Sequence, residues 1–74
     1  MKPEELTPGM KVYAYYGDGP NAQGGHYKTP MTVVGVKDNG KVAVKLGRTT
    51  PFADGEEVEE GTELEFNASE LFQT

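Results

Sequence analysis

The stretch Met31–Leu46 reads MTVVGVKDNGKVAVKL and carries the clearest structural signal in this chain. It contains two apolar runs separated by Asp38-Asn39-Gly40, and an Asn-Gly pair between such runs is typical of a β-hairpin. In the second run, Lys41-Val42-Ala43-Val44-Lys45, the valines recur with the period of two that marks a strand with one buried face, and the lysines fall on the other face. The stretch therefore predicts two antiparallel strands.

The length of the turn sets which residues face each other across this hairpin. A two-residue loop, Asn39-Gly40, would place lysines opposite core valines, whereas the three-residue loop Asp38-Asn39-Gly40 brings valines opposite valines. The pairs in the second case are Val36 with Val42 and Val34 with Val44, with Lys37 beside Lys41. Because a one-residue slip would move every side chain to the opposite face, we predict the three-residue loop, closed by Gly40 in a left-handed conformation.

Two further segments show the same alternation. Met10–Tyr16 follows the turn Thr7-Pro8-Gly9, and Thr62–Phe66 lies near the end of the chain. The period of two predicts a strand in each segment. The residues predicted to face the core are Val12, Ala14, Tyr16, Leu64 and Phe66, and those predicted to face outward are Lys11, Tyr13, Tyr15, Glu63 and Glu65.

The last residues predict one short helical turn. Asn67-Ala68-Ser69-Glu70 has the spacing of a capping box, in which the first side chain caps the turn and the fourth reaches back. Leu71 and Phe72 follow, and we expect the turn to fold both side chains over the core. Between the strands, Gly17–Pro30 and Gly47–Gly61 are expected to be long loops, and such loops are usually functional or disordered.

Length and composition limit what the chain can be. Its 74 residues suffice for one domain, 1–74, and it has no cysteine, one histidine and one serine, Ser69. These counts argue against a zinc site, a cofactor and a nucleophilic catalytic triad, so we expect a protein that is not an enzyme. No apolar stretch approaches the roughly 20 residues of a membrane span. Without a signal-peptide pattern either, the expected location is cytoplasmic.

Charge is distributed unevenly along the chain. Residues 1–48 hold seven Lys or Arg and four acids, whereas residues 49–74 hold eight acids and no base, and the net charge is −5. An acidic total argues against general nucleic-acid binding, which needs a basic footprint. The basic first part keeps one alternative open, a single-strand binder that uses the hairpin face of Lys37, Lys41, Lys45 and Arg48 with Tyr13 and Tyr15 as stacking rings.

The order of these elements resembles the SH3-like small barrels, which include the Tudor, KOW and bacterial accessory types. The residues that carry the resemblance are Pro8–Val12, Thr32–Val36, Lys41–Val44 and Glu65–Leu71. The resemblance implies an all-β fold, a small five-stranded SH3-like barrel with one short C-terminal helical turn. Such barrels bind proteins, modified residues or RNA, and the fold does not choose among these partners. Lys28–Val34 also resembles a segment of the MazF-type endoribonuclease barrel, with Thr29 where that family has arginine.

Two groups of residues are candidates for binding a partner. The aromatic group comprises Tyr13, Tyr15, His26, Tyr27 and Phe52, and the acidic group comprises Glu56, Glu57, Glu59 and Glu60. Exposed aromatic side chains are typical of binding hot spots, although they could instead close one end of a small barrel. The glutamates could form a patch for a basic protein or hold a divalent cation, or only keep a sheet edge solvated. We expect a non-enzymatic protein-binding module.

Overall fold

The computed structural model describes residues 1–18 and 27–73, and these residues form a mainly β structure. The strands are β1 (Lys11–Tyr16), β2 (Tyr27–Val36), β3 (Lys41–Leu46), β4 (Thr50–Pro51), β5 (Glu57–Val58) and β6 (Glu63–Asn67). Two short 3₁₀ turns, Pro3–Glu5 and Ala68–Glu70, flank them. The predicted C-terminal helical turn is confirmed, and in it the Asn67 backbone N–H donates to Glu70 Oε1 at 2.8 Å.

Four of the strands form one antiparallel sheet in the order β1-β2-β3-β6, and β4 pairs with β5 separately. After the second 3₁₀ turn, the chain returns to the free edge of β1. There the Tyr13 N–H donates to the Phe72 carbonyl at 2.7 Å, and the Phe72 N–H donates back at 3.0 Å. The C-terminal segment therefore runs from one edge of the sheet, β6, to the other edge, β1.

The core lies on one face of this sheet. Its buried apolar residues are Leu6, Val12, Ala14, Met31, Val33, Val42, Val44, Leu46, Ala68 and Leu71. Tyr16, Leu64 and Phe66 are half-buried and pack against them. The inward and outward residues predicted for β1 and β6 are thus confirmed, since each of those strands carries a single apolar alternation that only one orientation can bury.

The turn between β2 and β3 is the predicted three-residue loop. The Lys37 N–H donates to the Lys41 carbonyl at 2.7 Å, and Val36 lies opposite Val42. Gly40 has φ +82°, the left-handed conformation that most side chains disfavour. The predicted loop length and the first valine pair are confirmed.

The predicted pairing of Val34 with Val44 is wrong. Val33 lies opposite Val44, and the register shifts between Val33 and Gly35, so that Val34 sits in a β-bulge and is exposed. The turn places Val36 opposite Val42, whereas the core buries Met31 and Val33. In an uninterrupted strand, Met31 and Val33 would face the opposite side from Val36. One extra residue satisfies both requirements, which is what a bulge does.

Both long loops are shorter than predicted. Tyr27–Pro30, expected in the first loop, belongs to β2 and pairs with the end of β1. The second, acidic loop contains β4 and β5, in which Thr50 lies opposite Val58. Strands of two residues are too short to show any periodicity, so the sequence could not reveal them.

Candidate partner-binding site

Two tyrosines project from the outer face of β1. Val12 and Ala14 are buried on the core side, so the alternation of the strand turns Tyr13 and Tyr15 to the opposite side. Tyr13 is half-buried, whereas Tyr15 is 64% exposed. Among the large apolar and aromatic residues that the structure describes, Tyr15 is the most exposed. It is therefore the first candidate for contact with a partner.

Phe72 extends this surface from the C-terminus. Its backbone pairs with Tyr13, and its ring centroid lies 5.2 Å from that of Tyr15 and 6.1 Å from that of Tyr13. We call these three residues, Tyr13, Tyr15 and Phe72, the aromatic face. The position of Phe72 follows from the 3₁₀ turn, because Leu71 points into the core and its neighbour must point outward.

Lys28 covers part of the aromatic face. It lies opposite Tyr15 on β2, and its Nζ is 4.7 Å from the centroid of the Tyr13 ring and 6.0 Å from that of Phe72. Such a cation–π contact contributes about 0.5–1 kcal/mol at an exposed site. The Lys28 ammonium therefore contacts the rings of Tyr13 and Phe72 and leaves the ring of Tyr15 uncovered.

A shallow depression of about 270 Å³ adjoins the aromatic face, between the end of β1 and the second 3₁₀ turn. Its lining is mainly apolar and aromatic, with the polar groups supplied by Ser69, Glu70 and the Tyr15 hydroxyl. The lining residues are Ala14, Tyr15, Phe66, Ser69, Glu70 and Phe72. Tyr15 and Phe72 thus form one wall of a concave surface rather than an isolated pair of rings.

A larger groove, of about 490 Å³, crosses the outer face of β1, β2 and β3. We call it the outer groove. The side chains that define it are Lys11, Tyr13, Pro30, Thr32, Lys45 and Glu60. Tyr13 belongs to both the aromatic face and the outer groove, so the two form one continuous surface.

The two predicted aromatics from the long loops lie apart from this surface. Phe52 is half-buried, with its ring 5.1 Å from that of Tyr16 in an edge-to-face contact, and Phe66 approaches Tyr16 from 5.8 Å. We call Tyr16, Phe52 and Phe66 the sealing cluster. Tyr27 pairs with Tyr16 across β1 and β2 and lines a separate depression of about 260 Å³ with residues 48–51. Phe52 thus has the contacts expected of an aromatic that closes one end of the core.

The four candidate glutamates are all exposed and lie in and after the β4–β5 pair. Only one of them, Glu60, lines the outer groove, and its N–H donates to Thr49 Oγ1 at 3.2 Å. Within residues 1–18 and 27–73, no group of three or more Asp, Glu or His side chains is arranged to hold a metal ion. His26, the remaining candidate, lies outside the described residues.

The hairpin lysines have partners on β6. Lys37 forms a salt bridge with Glu65, whose hydrogen bond and charge raise the pKa of Lys37 above its usual value. Lys41 Nζ donates to Asn67 Oδ1 at 2.8 Å. Lys45 lies opposite Glu63. The hairpin lysines and their β6 neighbours therefore form a mixed polar surface rather than a continuous basic stripe.

The sequence missed two members of the site, Lys28 and Phe72. Phe72 was expected over the core. The signal that could have placed it is the alternation after the turn, which sends Leu71 and Phe72 to opposite sides.

Among the described residues, no helix has the length and apolar character needed to cross a membrane. Comparison of the chain with protein-family models, with curated proteins and with solved structures finds no match.

Proposed function

We propose that this chain is a small protein-binding module without catalytic activity, and that the aromatic face is its main contact surface. The observation that carries this proposal is the 64% exposure of Tyr15 beside Phe72, at the wall of a concave depression. Aromatic side chains contribute large contact areas at a small loss of side-chain entropy and dominate most interface hot spots. The pairing of β1 with β2 along its whole length strengthens this role, because the backbone under Tyr15 is already held in a sheet before binding.

The fold that we propose for this module is the five-stranded SH3-like barrel. Two features support it: the antiparallel order β1-β2-β3-β6, and the return of the chain after the second 3₁₀ turn to pair with β1 at Phe72. A fifth strand at this position would join the two edges of the sheet. Closure of this kind removes exposed strand edges, which otherwise promote aggregation.

The acidic residues Glu56, Glu57 and Glu59 have a secondary part in this proposal. All three are exposed, and the first two lie at the sealing-cluster end of the molecule: the Phe52 N–H donates to the Glu56 carbonyl at 2.8 Å, and Glu57 lies opposite Pro51. Exposed charges of this kind affect the association rate and orientation of a partner more than the affinity. A basic region on the partner protein would be attracted to this end.

Single-stranded nucleic acid is the alternative ligand, and one observation favours it. Tyr15 offers an open ring close to Lys28, and base stacking on such rings contributes about 1–3 kcal/mol per base. The pairing of Lys37 with Glu65 and of Lys41 with Asn67 weakens the backbone-binding part of this alternative. Affinity for an oligonucleotide such as dT20 at low salt, with a steep loss on adding salt, would support it.

The proposal is tested by affinity capture from the source organism with three baits: wild-type protein, Tyr15→Ala and Val36→Ala. Val36 is a matched control because it is also an exposed apolar residue, 42% exposed, but lies at the hairpin. We expect proteins retained by wild type and Val36→Ala to be lost from Tyr15→Ala. A Tyr15→Ala bait that retains every captured protein would contradict the proposal.

A further inference from the structure

Three residues form a row across the outer groove. Lys11 on β1 lies opposite Thr32 on β2, and Thr32 lies opposite Lys45 on β3. Neighbouring strands are about 4.8 Å apart, so the two lysine backbones are separated by about 10 Å. A lysine side chain spans more than half of that distance, and both ammonium groups can therefore approach one anion above the Thr32 side chain.

Both lysines are exposed, and within the described part of the chain neither forms a salt bridge. In this they differ from Lys37, which is paired with Glu65. Glu63 faces Lys45 across β3 and β6 without an ion pair. In a chain with a net charge of −5, the groove lining carries two unpaired lysines and one carboxylate, Glu60, so this groove has a small local positive charge.

The size of this positive site fits one anionic group. Glu60 lines the same groove, and Glu63 lies beyond Lys45, so carboxylates border the row. A nucleic-acid strand carries a phosphate on every nucleotide and gains affinity by neutralising several of them. Two lysines bordered by acids cannot follow such a backbone, whereas they can neutralise a single carboxylate.

The position of Lys11 along β1 sets the distance between the Lys11–Thr32–Lys45 row and Tyr15. Lys11 precedes Tyr13 by two residues and Tyr15 by four, and alternate residues of a strand lie about 6.6 Å apart. An extended segment lying along β1 would therefore have its contact with Tyr15 about 13 Å from the Thr32 row. That distance corresponds to four residues of the bound segment.

We propose that the outer groove binds an Asp or Glu side chain of the partner protein, four residues away in sequence from an apolar residue that contacts Tyr15. This inference rests on the proposed function, because it assigns a second contact to the same surface. Charge complementarity selects the occupant, since the unpaired charges at the row are positive. The carboxylate lies between Lys11 and Lys45, over Thr32.

The test begins with a display library of random 12-residue peptides selected on the wild-type protein. We expect the selected peptides to carry an acidic residue four positions from an apolar one. One of them is then synthesised with its acidic residue and with the corresponding amide, and both are titrated by fluorescence anisotropy. The amide peptide should bind about fivefold to tenfold more weakly, as expected for exposed charge pairs.

Two double variants with equal changes in net charge complete the test. Lys11→Gln/Lys45→Gln should weaken binding of the acidic peptide about fivefold to tenfold and leave binding of the amide peptide unchanged. Lys37→Gln/Lys41→Gln, at the other end of the hairpin, should change neither. Glu60→Gln removes a like charge from the groove and should strengthen binding of the acidic peptide about twofold.

The outcomes separate this inference from the proposed function. Selected peptides that need Tyr15 but have no acidic preference, or that lose affinity equally in both lysine variants, overturn the inference and leave the proposed function standing. Weaker binding in Glu60→Gln also overturns it, because the groove would then hold a basic side chain. A library that yields no peptide dependent on Tyr15 contradicts the proposed function itself.

Discussion

The sealing cluster and the aromatic face each consist of three aromatic residues, and β1 contributes to both. Their ring contacts are similar, with centroid distances between 5.1 and 6.1 Å. Their surroundings differ, because Tyr16 and Phe66 pack against the core whereas Tyr15 is 64% exposed. Contact between aromatic rings therefore does not separate a structural cluster from a binding surface in this protein. Packing against the core does, and it applies even to Phe66, which also lines the depression beside Tyr15 and Phe72.

The largest expected effect of a single substitution is at Gly17, where the chain leaves β1 beside the sealing cluster. Gly17 has φ +90°, and a Cβ there would lie 2.3 Å from Thr50 Cγ2 and 2.9 Å from the Pro51 carbonyl oxygen. We expect Gly17→Ala to lower the free energy of unfolding by about 3 kcal/mol, through backbone strain together with the collision. Chemical denaturation with urea measures this loss.

Gly40→Ala is the matched control for Gly17→Ala. Gly40 also has a positive φ, +82°, but a Cβ there meets no atom within 4 Å. It should therefore lose only the backbone part, about 1–2 kcal/mol. Equal losses of stability in the two variants would show that β4 does not pack closely against Gly17 at the end of β1. The packing described beside the sealing cluster would then be wrong.

Phe66 and Phe72 allow a direct comparison of the two groups by the same substitution. Phe66 packs against the core, so Phe66→Ala should reduce stability by about 2–3 kcal/mol, somewhat below the range for fully buried phenylalanine. Phe72→Ala removes a ring from the outer face and should lose about 1 kcal/mol. Thermal unfolding would show a difference of roughly 4–8 °C per kcal/mol in a domain of this size.

Tyr15→Ala should have almost no effect on stability. Its ring contacts Phe72 but not the core, and exposed substitutions of this kind usually change stability by less than about 0.5 kcal/mol. The same thermal scans measure it. A loss as large as that of Phe66→Ala would assign Tyr15 a structural role and weaken the case for a binding surface.

The smallest expected effect is on the pKa of Lys37, which is paired with Glu65 and lies outside the aromatic face. Glu65 raises the pKa of Lys37, so the pair stabilises the fold below the ordinary lysine pKa of about 10.4, and this contribution is lost as the pH rises through the raised pKa. Titration of the Lys37 side chain by NMR should show a lower pKa in Glu65→Gln. Glu63→Gln should lower it less, because Glu63 acts on Lys37 only through its charge.

Much of the fold could be predicted from the sequence, because β1, β3 and β6 each have one apolar alternation. The strand β2 was predicted but its register was not, since Met31 and Val33 have one parity and Val34 and Val36 have the other, and no local rule places the bulge between them. The sequence also grouped Phe52 with Tyr15 as loop and surface aromatics. Only contacts between distant segments distinguish these two residues. Phe52 contacts Tyr16, whereas Tyr15 contacts Phe72.

We propose that partners contact the aromatic face and the outer groove rather than the sealing cluster. NMR titration of ¹⁵N-labelled protein with a peptide selected on the wild type tests it most directly. We expect the largest amide shifts at Tyr13, Tyr15, Thr32 and Phe72. Shifts concentrated at Tyr27, Phe52 and the β4–β5 pair, with Tyr15 and Phe72 unchanged, would contradict it.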